Sequence, residues 1–135
     1  MTKLEALTKQ FQSALGRMEE ILQSSKTVIT CDAALKRFEF TFDLAWKTLR
    51  EYLREKKGIE CSSPKECMRE GYRHGIIAYD RTWIDMVDWR NDIVHEYSED
   101  YADDLYTKLP QVFELFRQLY RAATAPPAVS QETEQ

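Results

Sequence analysis

Between residues 31 and 57, apolar side chains return every three or four positions: Leu35, Phe38, Phe42, Ala45, Trp46, Leu49, Tyr52 and Leu53. That spacing gathers them on one stripe of an α-helix and would scatter them over both faces of a strand. A helix of this length is roughly 40 Å long, and its stripe needs apolar partners of similar length. Residues 2–25 supply one through Leu4, Leu7, Phe11, Ala14, Leu15, Met18, Ile21 and Leu22. Residues 101–123 supply another through Leu105, Leu109, Val112, Phe113, Phe116, Leu119 and Tyr120. With four glycines and four prolines in 135 residues, the chain is too poor in turn formers for a β-sandwich or barrel. The expectation is an all-α, antiparallel up-and-down four-helix bundle with an additional short helix.

Local signals suggest the boundaries. Asp32 is a candidate N-cap for the second helix, and Gly58 after Lys56-Lys57 a candidate stop. Ser63-Pro64-Lys65-Glu66 reads as the capping box of a short helix ending near His74-Gly75. Asp80 would cap a fourth helix, about 81–97, with Trp83, Met86, Val87, Ile93 and Val94 as its apolar positions. Pro110 should kink or split the last helix. Gly16 should cost the first helix about 1 kcal/mol relative to Ala, in exchange for a close helix contact. The domain is expected over residues 1–123, with a disordered tail over 124–135.

Charge and motif content narrow the function. The net charge is −4 and the sequence pI about 5.3, which is not the basic coat of a general nucleic-acid binder. The glycines at 16, 58, 71 and 75 cannot form G-x-G-x-x-G or a P-loop. No apolar run is long enough for a membrane span, and MTKLEALTKQ lacks the pattern of a signal peptide. A cytoplasmic location and reduced thiols at Cys31, Cys61 and Cys67 are therefore expected. Cys61 and Cys67 have only His74 and His95 to complete a zinc site, and Glu39 and Asp43 lack a third ligand, so neither a metal nor a cofactor is expected.

The chemistry-bearing stretch is Trp89-Arg90-Asn91-Asp92-Ile93-Val94-His95-Glu96-Tyr97. Arg90 offers a fork of donors to phosphate. His95 has a reference pKa suited to proton transfer. Asn91, one turn earlier, is placed to orient His95, and Tyr97 brings a phenolic hydroxyl. On a regular helix Arg90 and His95 are about 140° apart. They converge only if Arg90 reaches round, the helix end unwinds, or a second copy completes the site. The plainer alternative is a surface arginine, a histidine interacting with the helix dipole and a packing tyrosine. On the second helix, Lys47, Arg50, Arg54 and Lys57 read as a solvated face laced with Glu51 and Glu55, an RNA path being the alternative, and Asp43 pairs with Lys47 at i,i+4. The aromatic residues, 12% of the chain, serve either the core or a subunit interface.

R-x4-H-x-Y, here Arg90, His95 and Tyr97, resembles the motif of HEPN domains. The run from Arg37 to Leu49 is similar to the signature of the nucleotidyltransferase substrate-binding family. Ser63-Pro64-Lys65-Glu66, Arg69-Glu70, Gly75 and Trp83-Ile84-Asp85-Met86 fit the same pattern in order, over residues 4 to 120. The resemblance implies a HEPN-like bundle that forms a homodimer, with Arg90 and His95 lining a shared cleft. It implies a minimal nucleotidyltransferase as partner, and RNA or a nucleotide as ligand. It also implies a metal-independent endoribonuclease toxin with catalytic Arg90 and His95, neutralised when the partner adds AMP to Tyr97. The alternative within the same family is a non-catalytic substrate- or nucleotide-binding subunit. The chain lacks the acidic cluster of a nucleotidyltransferase, so the transferase would be the partner.

Overall fold

Most of the helices begin where a hydroxyl can reach back to its own first-turn amides. The computed structural model describes residues 1–95 and 98–126, and five helices lie among them: α1 Lys3–Leu22, α2 Val28–Lys57, α3 Pro64–Arg73, α4 Thr82–His95 and α5 Glu99–Thr124. Thr2 caps α1 in a reciprocal box with Glu5, and Ser98 caps α5 by accepting from the Tyr101 amide at 3.2 Å. Such hydroxyl caps satisfy amides that a helix start leaves orphaned.

Several boundaries depart from the sequence expectation. α2 starts at Val28, before Asp32, because Thr27 and Thr30 cap it reciprocally. Val28 and Ile29 face solvent there, so the extra turn carries no apolar periodicity. In α3, Ser63 caps as expected, but Glu66 accepts from the Ser62 amide and hydroxyl rather than from Ser63, so the box closes one residue early. α5 runs unbroken through Pro110. The proline lies on the exposed face, where the carbonyl it leaves without a donor can bond to water. An added Cβ at Gly16 would meet nothing within 4 Å, so no close contact requires that glycine. Gly58 does end α2, in the left-handed conformation with φ 68°. The expected end of the fourth helix at Tyr97 and residues 127–135 of the tail lie outside the described residues.

The expected reduced state of all three cysteines is also overturned. The segment after Gly58 folds back over the first turn of α3, and Cys61 and Cys67 form a disulfide with their Cα atoms 5.3 Å apart. Cys31 remains a free, buried thiol.

The long helices fix the bundle. Arg37 donates to the Arg17 carbonyl at 2.8 Å, so α1 and α2 are antiparallel neighbours. Lys26 pairs with Asp103 at 3.1 Å, bringing the start of α2 to the start of α5. Gln111 reaches Thr82, and Tyr101 reaches Asp92, so α4 and α5 run antiparallel. The result is the expected up-and-down arrangement of α1, α2, α4 and α5, with α3 in the crossover. The Phe116 ring sits at the centre. It meets Phe11 of α1 edge-on at 6.2 Å, Phe38 of α2 at 6.3 Å and Trp83 of α4 at 6.0 Å. Gly71 lets α3 lie close on α2, because a Cβ there would stand 3.0 Å from Leu49.

Candidate functional site

The apolar stripe of α4 runs through Trp83, Met86 and Val87, all buried. Arg90 continues that stripe by one turn, three residues beyond Val87. It therefore faces α2 rather than solvent, and its Nη2 meets Asp43 at 3.2 Å to one carboxylate oxygen and 3.4 Å to the other. Both side chains stay about one-third exposed, at 36% and 35%. The Arg90 Nε is buried and has no hydrogen-bond partner among the described residues. A buried donor left unsatisfied costs about 1–3 kcal/mol, so this guanidinium is held in an arrangement that does not use all of its donors.

Asn91 and His95 occupy a different face and are exposed. α4 stays helical through His95, so the wide angular separation from Arg90 persists within one chain. His95 stands in the last turn, where a histidine interacts favourably with the helix dipole. The structure thus brings Asn91 beside His95 and does not bring His95 to Arg90. Tyr97 lies outside the described residues.

The surroundings correct two further expectations. Asp43 is the partner of Arg90, not of Lys47, because α4 crosses α2 at that point. Glu51 is buried instead of lacing a solvated face. It accepts from Arg54 Nε at 3.2 Å and from Arg54 Nη2, and Lys3 stands 3.9 Å away. The Arg54 hydrogen bonds hold the Glu51 carboxyl below the usual range, against the opposing effect of burial. Arg54 is thereby engaged, and Arg50 stacks over Trp46 at 4.7 Å. Two of the four basic residues of the α2 stripe, Arg50 and Arg54, are thus engaged within the chain.

Tyr101 was not singled out from sequence. Its hydroxyl donates to Asp92 at 3.2 Å, tying the start of α5 to the end of α4. Burial first, and the Asp92 charge second, push its phenol up to about 12. Its signal in the sequence was only a tyrosine three residues after a serine cap. The Asp43–Arg90 pair had no local signal, since the partners are 47 positions apart. Among the described residues no three His, Cys, Asp or Glu side chains are grouped to hold a metal ion. No described helix is long and apolar enough to cross a membrane.

Comparison with known proteins adds the family context. The family model described as nucleotidyltransferase substrate binding protein like matches residues 4–125. A crystallised protein from Thermus thermophilus shares 34% identity and superposes with a TM-score of 0.80, covering 84% of this chain and 98% of its own. A Haemophilus influenzae protein, whose structure is described as revealing the fold of a substrate binding domain of a nucleotidyltransferase, shares the fold. Its TM-score is 0.64 at 19% identity, covering 89% of this chain and 96% of its own. No curated protein is matched.

Proposed function

This chain belongs to the nucleotidyltransferase substrate-binding-protein-like family, and from that premise we propose that it is the non-catalytic substrate-binding subunit of a two-component nucleotidyltransferase. A separate minimal nucleotidyltransferase supplies the transfer chemistry. This subunit recognises a phosphoryl-bearing substrate, a nucleotide or RNA. The observation that carries the reading is the position of Arg90. It is a permanent cation, partly exposed, held at the α2–α4 contact through one nitrogen, Nη2. Arginine's planar fork suits phosphate better than any other side chain does.

His95 and Asn91 form a second polar face at the end of α4. In the reading's fuller form, two copies associate through this region so that Arg90 of one and His95 of the other border one cleft, and Tyr97 accepts AMP from the partner enzyme. The metal-independent ribonuclease implied by the resemblance ranks behind substrate binding. Neither the family description nor the Haemophilus structure's description carries nuclease activity. Arg90 and His95 also diverge within one chain, so proton transfer and charge stabilisation at one phosphate would require two chains.

Co-expression with the cognate nucleotidyltransferase tests the proposal. A stable complex is expected, in which Arg90→Gln leaves assembly intact and lowers nucleotide transfer. The mass of this chain, read in the same sample, reports whether Tyr97 gains AMP. A failure of the two chains to associate would overturn the subunit reading. RNA cleavage by the isolated chain, lost in His95→Ala, would reinstate the nuclease.

A further inference from the structure

The guanidinium of Arg90 is not free in the chain as it stands. Both oxygens of Asp43 address a single nitrogen, Nη2, at 3.2 and 3.4 Å. That is not the paired fork in which two nitrogens each meet one oxygen. The Nε is left buried without an acceptor among the described residues. A purely structural ion pair between arginine and carboxylate gains by using two donors. This one uses one, at a place where both partners remain accessible to a solute.

The charges nearby decide what such a solute could be. On α4, Asp85 is paired with Arg81 at 3.4 Å and Asp88 with Lys65 at 3.0 Å, and Asp92 accepts from Tyr101. On α2, Glu39 is taken by Lys36 at 3.4 Å. Lys47, one turn beyond Asp43, is exposed. An anion is therefore drawn to the α2–α4 seam, where the only carboxylate in contact with Arg90, among the described residues, is Asp43 itself.

We propose that Asp43 is a latch on Arg90: an internal anion that holds the guanidinium in a half-satisfied arrangement and that a phosphoryl group must displace in order to bind. The proposal rests on the reading of Arg90 as the phosphate-recognising group and adds the residue that regulates it. Displacement frees Nη2 and opens the exposed end of the guanidinium to a ligand of higher negative charge. It also returns Asp43 to water at little expense, because its side chain is already a third exposed. The latch keeps an otherwise available cation from capturing arbitrary anions. It favours ligands with enough negative charge to compete with a carboxylate.

The test uses the full chain at low ionic strength, where such competition is least screened. Nitrogen–proton spectra follow the Arg90 Nε–H while AMP, a terminal phosphate monoester, or a uridine dinucleotide, an internal diester, is added. In wild type the Nε–H resonance is expected to move as ligand binds, because the guanidinium leaves Asp43. Asp43→Asn keeps the side-chain shape and removes the competing charge, and it is expected to tighten AMP binding roughly tenfold. A gain with AMP alone identifies a nucleotide as the ligand; a gain with the dinucleotide as well identifies a strand. Arg90→Gln is expected to lose binding in both backgrounds. If Asp43→Asn binds both ligands no more tightly than wild type, while Arg90→Gln still loses them, Arg90 recognises phosphate and the latch is refuted. If Arg90→Gln binds as wild type does, or if no variant binds either ligand, the phosphate reading of Arg90 falls and the latch falls with it.

Discussion

The two halves of α4 rest against the same bundle by different means. The first half buries Trp83, Met86 and Val87, at 3%, 0% and 7% exposure, and Trp83 packs on the central Phe116. In the second half the same stripe turns to Arg90, about a third exposed, and then to Val94 at 57%. One half is held by fully buried apolar area, the other by the half-buried Trp89 and Ile93, one ion pair and the Tyr101–Asp92 hydrogen bond. Area removed from water stabilises in proportion to its extent, whereas a partly exposed ion pair contributes about 0–1 kcal/mol. The first half therefore sets where α4 lies. The second half is left with groups that can change partners without unfolding the protein.

Trp83→Ala should break the contrast at its strong end. The lost ring and its cavity are expected to cost about 3–5 kcal/mol, read as a lower urea midpoint. A cost within about 0.5 kcal/mol, the range of ordinary surface changes, would mean that α4 is not anchored by its first half. Next comes the support beneath that half. α3 is tied to the preceding segment by Cys61–Cys67, and Lys65 of α3 meets Asp88 of α4 at 3.0 Å. Cys61→Ser is expected to cost about 2 kcal/mol, the loop-closure value for so short a ring. Full reductant should lower the wild-type Tm as far as the substitution does and leave the variant's unchanged.

The weak end is reached through Tyr101. Its phenol is raised to about 12 in the folded chain, against an ordinary value of 10.0. The unfolded chain therefore releases this proton first as pH rises. The stabilisation is complete below pH 10 and is lost between pH 10 and about 12. Tyr101→Phe should make the fall in stability across that window shallower, and an unchanged slope would mean that burial and Asp92 do not raise this phenol. Smallest of all is His95→Ala. Only a dipole interaction at an exposed helix end is lost, worth about 0.3–1 kcal/mol. Thermal melts of this variant and of Trp83→Ala would then differ by many degrees, though both change one helix.

What the sequence made legible follows the same division. The stripes of α1, α2 and α5 could be read because burial repeats with the helical period, and Phe11, Phe38, Phe42 and Phe116 all fall inside. The start of α2 was missed because Val28 and Ile29, apolar by type, face water beyond the Thr27 cap. The disulfide was missed because a C-x5-C spacing says nothing about whether the chain turns back between its ends. The angle between Arg90 and His95 was legible, since it depends on one helix. Asp43 was not recognised as the Arg90 partner, because that pairing depends on how α2 and α4 cross. Glu51 was misplaced on a solvated face, because charge by itself does not reveal that Arg54 and Lys3 close over it.

The position of Phe116 has a consequence for how the molecule breathes. One ring is shared by Phe11, Phe38 and Trp83, so the first turns of α4 cannot lift away without opening the centre of the bundle to water. Amide protons there should exchange with solvent only when the whole chain unfolds. Those near Asn91 and Ile93, past Val87, the last fully buried residue of α4, should exchange through small local openings that leave Phe116 covered. The chain would thus have a gradient of opening along a single helix, steady at the end that meets the aromatic centre and restless at the end that carries the arginine.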